Sequence, residues 1–125
     1  MDAVNAQEIP FGGPYSHAVV EDGLVHCSGQ IALDPGSGEL VDGDVTVQAE
    51  RAFANLAIVL EAAGSSLADV IRTGVYLTDV DDFAAMNEAF ARTFAGHRPA
   101  RTTIGVAALP LGARFEVDCV ARRRG

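Results

Sequence analysis

The sequence predicts an α+β fold, in which a mixed β-sheet carries two helices packed on one face. Two segments have apolar residues at helical spacing, five shorter segments alternate or are rich in β-branched residues, and their order is β-β-α-β-α-β-β. The 125 residues contain no repeat and no linker-like stretch. We therefore expect a single domain over residues 1–125.

The first two strands are predicted to form a hairpin around Asp22-Gly23. Apolar stretches at 18–20 and 24–28 flank this dipeptide, which favours a tight two-residue turn. The second strand continues to Leu33, and Gly29 marks the expected position of a β-bulge.

A long helix is predicted next. Asp44 or Thr46 can cap its N-terminus, and Gly64 can end it. Its core-facing stripe consists of Ala49, Ala52, Phe53, Leu56, Val59, Leu60 and Ala63.

A strand over residues 69–78 leads into the second helix. Alternation predicts that Ile71, Val75 and Leu77 share one face and that Arg72, Gly74 and Tyr76 share the other. The helix begins at Asp79 or Asp81 and runs to Phe94, with Gly96 as its stop. Its predicted buried stripe consists of Phe83, Met86, Phe90 and Phe94, with Asn87 on the same inward face. Asn87 is either a core amide that holds a loop or a side chain that lines a site.

The last two strands bear the most informative charges, Arg101 and Glu116. Pro99 places Arg101 where a loop becomes a strand, and Thr103 shares its side of that strand. The composition of residues 109–112 predicts a turn. We therefore predict a hairpin that brings Glu116 back toward the strand of Arg101. The two residues then form either a structural salt bridge or a site that binds an anion and moves a proton. We adopt the second as a hypothesis, because a guanidinium can hold a carboxylate with two charge-assisted hydrogen bonds.

Composition excludes several classes of function. All nine basic residues are arginine, so a lysine Schiff base is excluded. The formal net charge of −8 argues against nucleic-acid binding. No apolar run is long enough to span a membrane, and the N-terminal residues lack the features of a secretory leader, so we expect a cytoplasmic protein.

No metal site is expected, because the three histidines, His17, His26 and His97, lack paired ligand spacing. Cys27 and Cys119 are interpreted as buried thiols, with a disulfide as the alternative. No serine-hydrolase elbow and no phosphate-binding loop is present.

One face of the sheet is predicted to lack a helical cover. The last strand places Arg114, Glu116 and Asp118 on this face, which also carries Tyr76 and Val120. The mixture is too polar for a core and rather apolar for a solvated surface. We therefore expect another copy of the chain to cover it.

Beyond these patterns, the chain resembles the RidA/YjgF family of enamine/imine deaminases over nearly its whole length. The segments that carry the resemblance are Gly13-Pro14-Tyr15-Ser16, Ser28-Gly29-Gln30, Gln48, Glu61-Ala62-Ala63-Gly64, Asp82-Phe83, Met86-Asn87, Arg98-Pro99-Ala100-Arg101-Thr102 and the stretch from Leu109-Pro110 to Glu116.

The resemblance implies a chorismate-mutase-like fold and a homotrimer with a site in each cleft between subunits. It implies that Arg101 binds the substrate carboxylate and that Glu116 serves the hydrolytic water. Tyr15, Ser28, Asn87 and Thr103 would line the cleft. The implied reaction is hydrolysis of 2-iminopropanoate or 2-iminobutanoate to the 2-oxo acid and ammonia, with no cofactor.

His17 departs from the glutamine found in many members of this family. It either packs at a subunit edge, which we favour, or adds a titrating group beside Tyr15. Two other functions stay open: action on a different carboxylate-bearing imine or amide, and non-enzymatic binding of 2-oxo acids.

Overall fold

Six strands form one mixed sheet in the computed structural model, which describes residues 1–124. The strands are β1 (Asp2–Val4), β2 (Ala18–Glu21), β3 (Leu24–Gln30), β4 (Val70–Leu77), β5 (Ala100–Gly105) and β6 (Phe115–Arg122). The helices are α1 (Val45–Ala62) and α2 (Phe83–Phe94). Strand order across the sheet is β1-β2-β3-β6-β4-β5, and every neighbouring pair is antiparallel except β4 and β5. The α+β prediction is confirmed, with β1 as an additional short strand.

Both helices cover the same face of the sheet, as predicted, and the core lies between them and the strands. The ring of Phe53 on α1 lies 5.8 Å from Phe90 and 5.7 Å from Phe94 of α2, and 5.3 Å from Phe115 of β6, measured between centroids. The predicted stripe of α1 is buried throughout. Asp44 caps α1 by accepting a hydrogen bond from the Val47 amide at 3.0 Å.

The first hairpin and its bulge are confirmed. Asp22 and Gly23 both have positive φ, 52° and 77°, as a tight primed turn requires. The pairing of β3 with β6 shifts register between Cys27 and Gln30, which places the irregularity at Ser28-Gly29.

The predicted hairpin between β5 and β6 is wrong. β5 pairs in parallel with β4 at the edge of the sheet, and β6 lies on the other side of β4. The connection passes around the end of β4, where the Val106 amide donates to the Leu77 carbonyl at 2.8 Å and the Thr78 amide donates to the Arg114 carbonyl at 3.4 Å.

Two predicted core residues are also exposed. Ile71 is 48% exposed because the β4–β6 register shifts between Val70 and Arg72, so the extra residue turns outward and Val70 is buried instead. Phe83 is 45% exposed because it lies at the first turn of α2, beside Arg101.

Cys27 and Cys119 are buried free thiols that lie directly opposite each other on β3 and β6. The hydrogen bond that the Cys119 thiol donates to Cys27, together with burial, raises the pKa of Cys119. None of the helices among residues 1–124 is long and apolar enough to cross a bilayer.

Candidate functional site

The predicted site residues fall into two separate groups on one chain. Arg101, Thr103 and Asn87 form the first group, at the edge of the sheet beside α2. Tyr15, Ser28 and Glu116 form the second group, around a hollow on the opposite side of the sheet. We call these the arginine half-site and the glutamate half-site.

Strand alternation places Arg101 against α2. Its strand partner is Thr73, whose side chain is buried on the helical face of the sheet. The guanidinium carbon lies 4.8 Å from the ring centroid of Phe90 and 5.7 Å from that of Phe83, and Nη1 lies 3.8 Å from the Met86 sulfur. The positive charge therefore rests on aromatic faces, which attract it through the ring quadrupole.

No carboxylate within residues 1–124 forms an ion pair with Arg101. Burial lowers the pKa of its guanidinium from the ordinary value, because the charge loses solvent and gains no anion. The guanidinium has already lost part of its hydration in the folded chain. An anionic ligand can therefore bind it with little additional desolvation of the arginine.

Asn87 lies beside Arg101 along a surface hollow of about 520 Å³ that Phe90, Arg98 and Pro99 also line. It is half-buried, so the interpretation as a fully buried core amide is wrong. Thr103 follows on the same side of β5 as Arg101. Its Oγ1 is buried and has no hydrogen-bond partner among residues 1–124, which leaves one polar group of this half-site unsatisfied.

The glutamate half-site is built on the bulge at Gly29. A Cβ placed on Gly29 would overlap the carboxylate of Glu116, so only glycine leaves room for this side chain. Tyr15 and Ser28 line the same hollow. An adjoining hollow of about 350 Å³ extends from Glu116 past Ile31 and Leu111.

The electrostatics of Glu116 favour its neutral form. Burial raises the pKa of the Glu116 carboxyl first, and the negative charge of Asp118 raises it further. No arginine within residues 1–124 forms an ion pair with Glu116. Ser28 donates from Oγ to the Ser16 carbonyl at 2.7 Å, which ties β3 to the segment that carries Tyr15.

Within one chain, Arg101 and Glu116 do not meet. They lie on opposite faces of the sheet, with β4 between their strands. The structural salt bridge considered from the sequence is therefore excluded within the chain, and so is a site that both residues form in a single subunit.

His17 is buried and serves the N-terminal segment. Its Nδ1 accepts a hydrogen bond from the Ala6 amide at 3.1 Å, its Nε2 lies 3.4 Å from the Pro10 carbonyl oxygen, and its ring stacks on Phe11 at 4.1 Å. These contacts give His17 a packing role within the N-terminal segment of its own chain.

Sequence reasoning missed three features of the two half-sites. These are the aromatic rings beneath Arg101, the role of Gly29 as space for Glu116, and the contact of Tyr76 with Asp118. A glycine inside a strand is the available signal, because it often marks a close approach of other atoms.

Comparisons with known proteins show similarity in both sequence and structure. Residues 6–123 match the family model described as Endoribonuclease L-PSP. The chain is 46% identical to Protein DfrA of Myxococcus xanthus, over 95% of this chain and 93% of that protein. It is 45% identical to the human 2-iminobutanoate/2-iminopropanoate deaminase, over 87% of this chain and 80% of that enzyme. The crystal structure of RidA from an Antarctic Psychrobacter species superposes with a TM-score of 0.93 at 39% identity, covering 98% of this chain and 99% of that one.

Proposed function

Because this chain belongs to the endoribonuclease L-PSP family, which is also the YjgF/RidA family, we propose that it is an imine deaminase. Its substrates are 2-iminopropanoate and 2-iminobutanoate, and its products are the 2-oxo acids and ammonia. The observation that carries this proposal is the half-buried guanidinium of Arg101, which rests on Phe83 and Phe90 without an anionic partner among residues 1–124. The mammalian relatives named as deaminases of these two imines support it.

The complete site forms between two copies of the chain. Arg101 of one copy faces Glu116 of the next, which resolves their separation on opposite sides of one sheet. Exposed apolar side chains border both half-sites, with Phe83 at 45% and Leu111 at 69% exposure. Such a border is typical of a surface that another protein covers. We expect the closed assembly to be a homotrimer, as the family resemblance implies.

Catalysis begins when Arg101 binds the carboxylate of the substrate with two charge-assisted hydrogen bonds. This contact places the imine carbon beside Glu116 of the neighbouring copy. A water adds to that carbon, so that a C–O bond forms and the C=N bond becomes single. Glu116 accepts a proton from the water and returns it to the nitrogen, which gives a carbinolamine with a hydroxyl and an amino group on one carbon. Glu116 then takes the hydroxyl proton and delivers it to the amino group, after which the C–N bond breaks and ammonia leaves. The carbonyl of the 2-oxo acid forms in the same step.

The chemistry matches the residues available. The reaction transfers protons and no electrons, so one carboxylate with a raised pKa can serve as both base and acid. General acid–base catalysis is typically worth about 10²–10⁴-fold, and correct placement of the substrate adds to it. RNA is a poor alternative substrate despite the family description, because the net charge of −8 repels phosphates.

Substitution of Arg101 tests the proposal. We expect Arg101→Ala to lower kcat/KM by roughly 100-fold or more, because two charge-assisted hydrogen bonds of about 1.5–3 kcal/mol each are lost. The measurement is imine clearance in an assay coupled to a pyridoxal-phosphate dehydratase, with light scattering to confirm the oligomeric mass.

Arg98→Ala is the matched control. Arg98 lines the same hollow and is exposed, so its loss should leave clearance within about twofold of wild type. An Arg101→Ala protein that clears imine as fast as wild type would refute the proposed function.

A further inference from the structure

We propose that Asp118, held in place by Tyr76, is a positioning residue that sets the pH range in which Glu116 can act as a base. This inference rests on the proposed function for its catalytic meaning. Asp118 does not touch the substrate; it acts through Glu116.

The two carboxylates share the uncovered face of the sheet. Glu116 and Asp118 are two residues apart on β6, so their side chains project from the same side. The residues between and beyond them, Phe115, Val117 and Cys119, are buried on the helical side. No cation among residues 1–124 forms an ion pair with either carboxylate.

Tyr76 fixes the position of Asp118. Tyr76 lies directly opposite Glu116 in the strand register, yet its hydroxyl donates to Asp118 Oδ2 at 2.8 Å. This diagonal contact needs Gly74, which is the register partner of Asp118. A Cβ on Gly74 would lie 2.5 Å from Asp118 Oδ1 and 2.8 Å from the Tyr76 hydroxyl. The sheet is therefore built to keep this acid at one place beside Glu116.

The surroundings of Glu116 leave Asp118 as its principal charged neighbour within the chain. Tyr15 and Ser28 face it from the N-terminal segment and β3. Tyr76 faces it from β4, and the hydroxyl of Tyr76 is committed to Asp118.

Neither of the two nearest arginines in the strand register forms an ion pair with Asp118. Arg72 lies toward the sheet edge, where its Nη2 donates to Thr102 Oγ1 at 2.7 Å. Arg114 precedes β6 and is exposed. In the proposed assembly, Arg101 of a neighbouring copy is the other charge near Glu116. It is present in every variant described below, so it does not affect the comparison between them.

The charge of Asp118 makes Glu116 a better base. A negative neighbour disfavours ionisation, and it is the second cause, after burial, of the raised pKa of Glu116. The hydrogen bond to Asp118 likewise raises the pKa of the Tyr76 phenol, because the bond needs the phenol proton and so stabilises the protonated form. A carboxylate with higher proton affinity removes a proton from water more readily.

Two variants separate charge from structure. Asp118→Asn removes the charge and keeps an oxygen that can accept the Tyr76 hydrogen bond. Tyr76→Phe keeps the charge and removes the hydrogen bond. We expect the acid limb of the pH profile of kcat/KM to move to lower pH in Asp118→Asn, with a lower plateau rate. In Tyr76→Phe the limb should not move downward. Asp118→Ser, a second uncharged variant, should shift as Asp118→Asn does.

A titration of the Glu116 carboxyl by ¹³C NMR on substrate-free protein gives an independent readout. Its midpoint should fall in Asp118→Asn and not in Tyr76→Phe. Unchanged midpoints in both uncharged variants, or an equal fall in Tyr76→Phe, would overturn the inference. A wild-type protein that clears no imine would refute the proposed function instead, and the NMR comparison would still decide the role of Asp118.

Discussion

Arg101 and Glu116 share an unusual property at the scale of single residues. Each is a half-buried charge with no ion-pair partner among residues 1–124. Burial lowers the pKa of Arg101 and raises the pKa of Glu116, because it disfavours the charged form of both groups. Charged groups in structural roles are generally paired when they leave water. Two unpaired groups of opposite sign on one small chain therefore point to a ligand and a second surface that complete them.

Gly29 gives a direct test of how closely Glu116 must be placed. We expect Gly29→Ala to lower kcat/KM by about 100-fold, because the new methyl group occupies the space of the carboxylate and displaces the base. The free energy of unfolding should change by less than about 1 kcal/mol, since the Glu116 side chain can turn toward solvent. Steady-state kinetics and urea unfolding measure the two effects.

Gly36→Ala is the control, because Gly36 lies in a surface loop and an added Cβ would meet only the Asp34 side chain at 3.2 Å. Full clearance by Gly29→Ala would show that the observed position of the Glu116 carboxylate is unnecessary for function.

At the scale of elements, the local patterns predicted both helices, the first hairpin and the bulge at Gly29. Burial periodicity and turn chemistry are properties of neighbouring residues, so they can be read directly from the chain. The strand that pairs with β5 could not be predicted from such local patterns. Residues 109–112 do turn, with Leu111 at φ 59°, but turn residues do not specify which strand the returning chain joins.

The position of β4 separates the two charged residues of the candidate site. A hairpin would have placed Arg101 and Glu116 on adjacent strands, whereas β4 lies between their strands and the two side chains project from opposite faces of the sheet. The candidate site residues could be proposed from the chain, while their division between two half-sites depends on strand order, which non-local packing decides.

The cap of α1 is testable at this same scale. Asp44→Ala should lower the free energy of unfolding by about 1 kcal/mol, because the Val47 amide loses its acceptor at the helix N-terminus. Thr46→Ala, the other cap candidate from the sequence, should change it by less than about 0.5 kcal/mol. Urea midpoints at equal m-value compare the two variants. A larger loss in Thr46→Ala would show that the helix begins elsewhere.

For the whole molecule, the uncovered sheet face and the two half-sites have a common explanation. In the proposed assembly, the arginine half-site of one copy faces the glutamate half-site of the next. This contact covers exposed apolar side chains, and it places a charge of opposite sign across the cleft from each unpaired charge. In the proposed mechanism the substrate lies between them, with its carboxylate on Arg101 and its imine carbon beside Glu116. Activity is therefore expected to depend on assembly, and an isolated subunit should be inactive.

Mixing two inactive variants tests this claim most directly. Arg101→Ala and Glu116→Gln are denatured together in equal amounts, refolded, and assayed for imine clearance. If each site takes Arg101 from one copy and Glu116 from another, random assembly restores about one quarter of the wild-type activity. Each variant refolded with the Arg101→Ala, Glu116→Gln double variant should stay inactive. A mixture that assembles fully and yet recovers no activity would contradict a shared site.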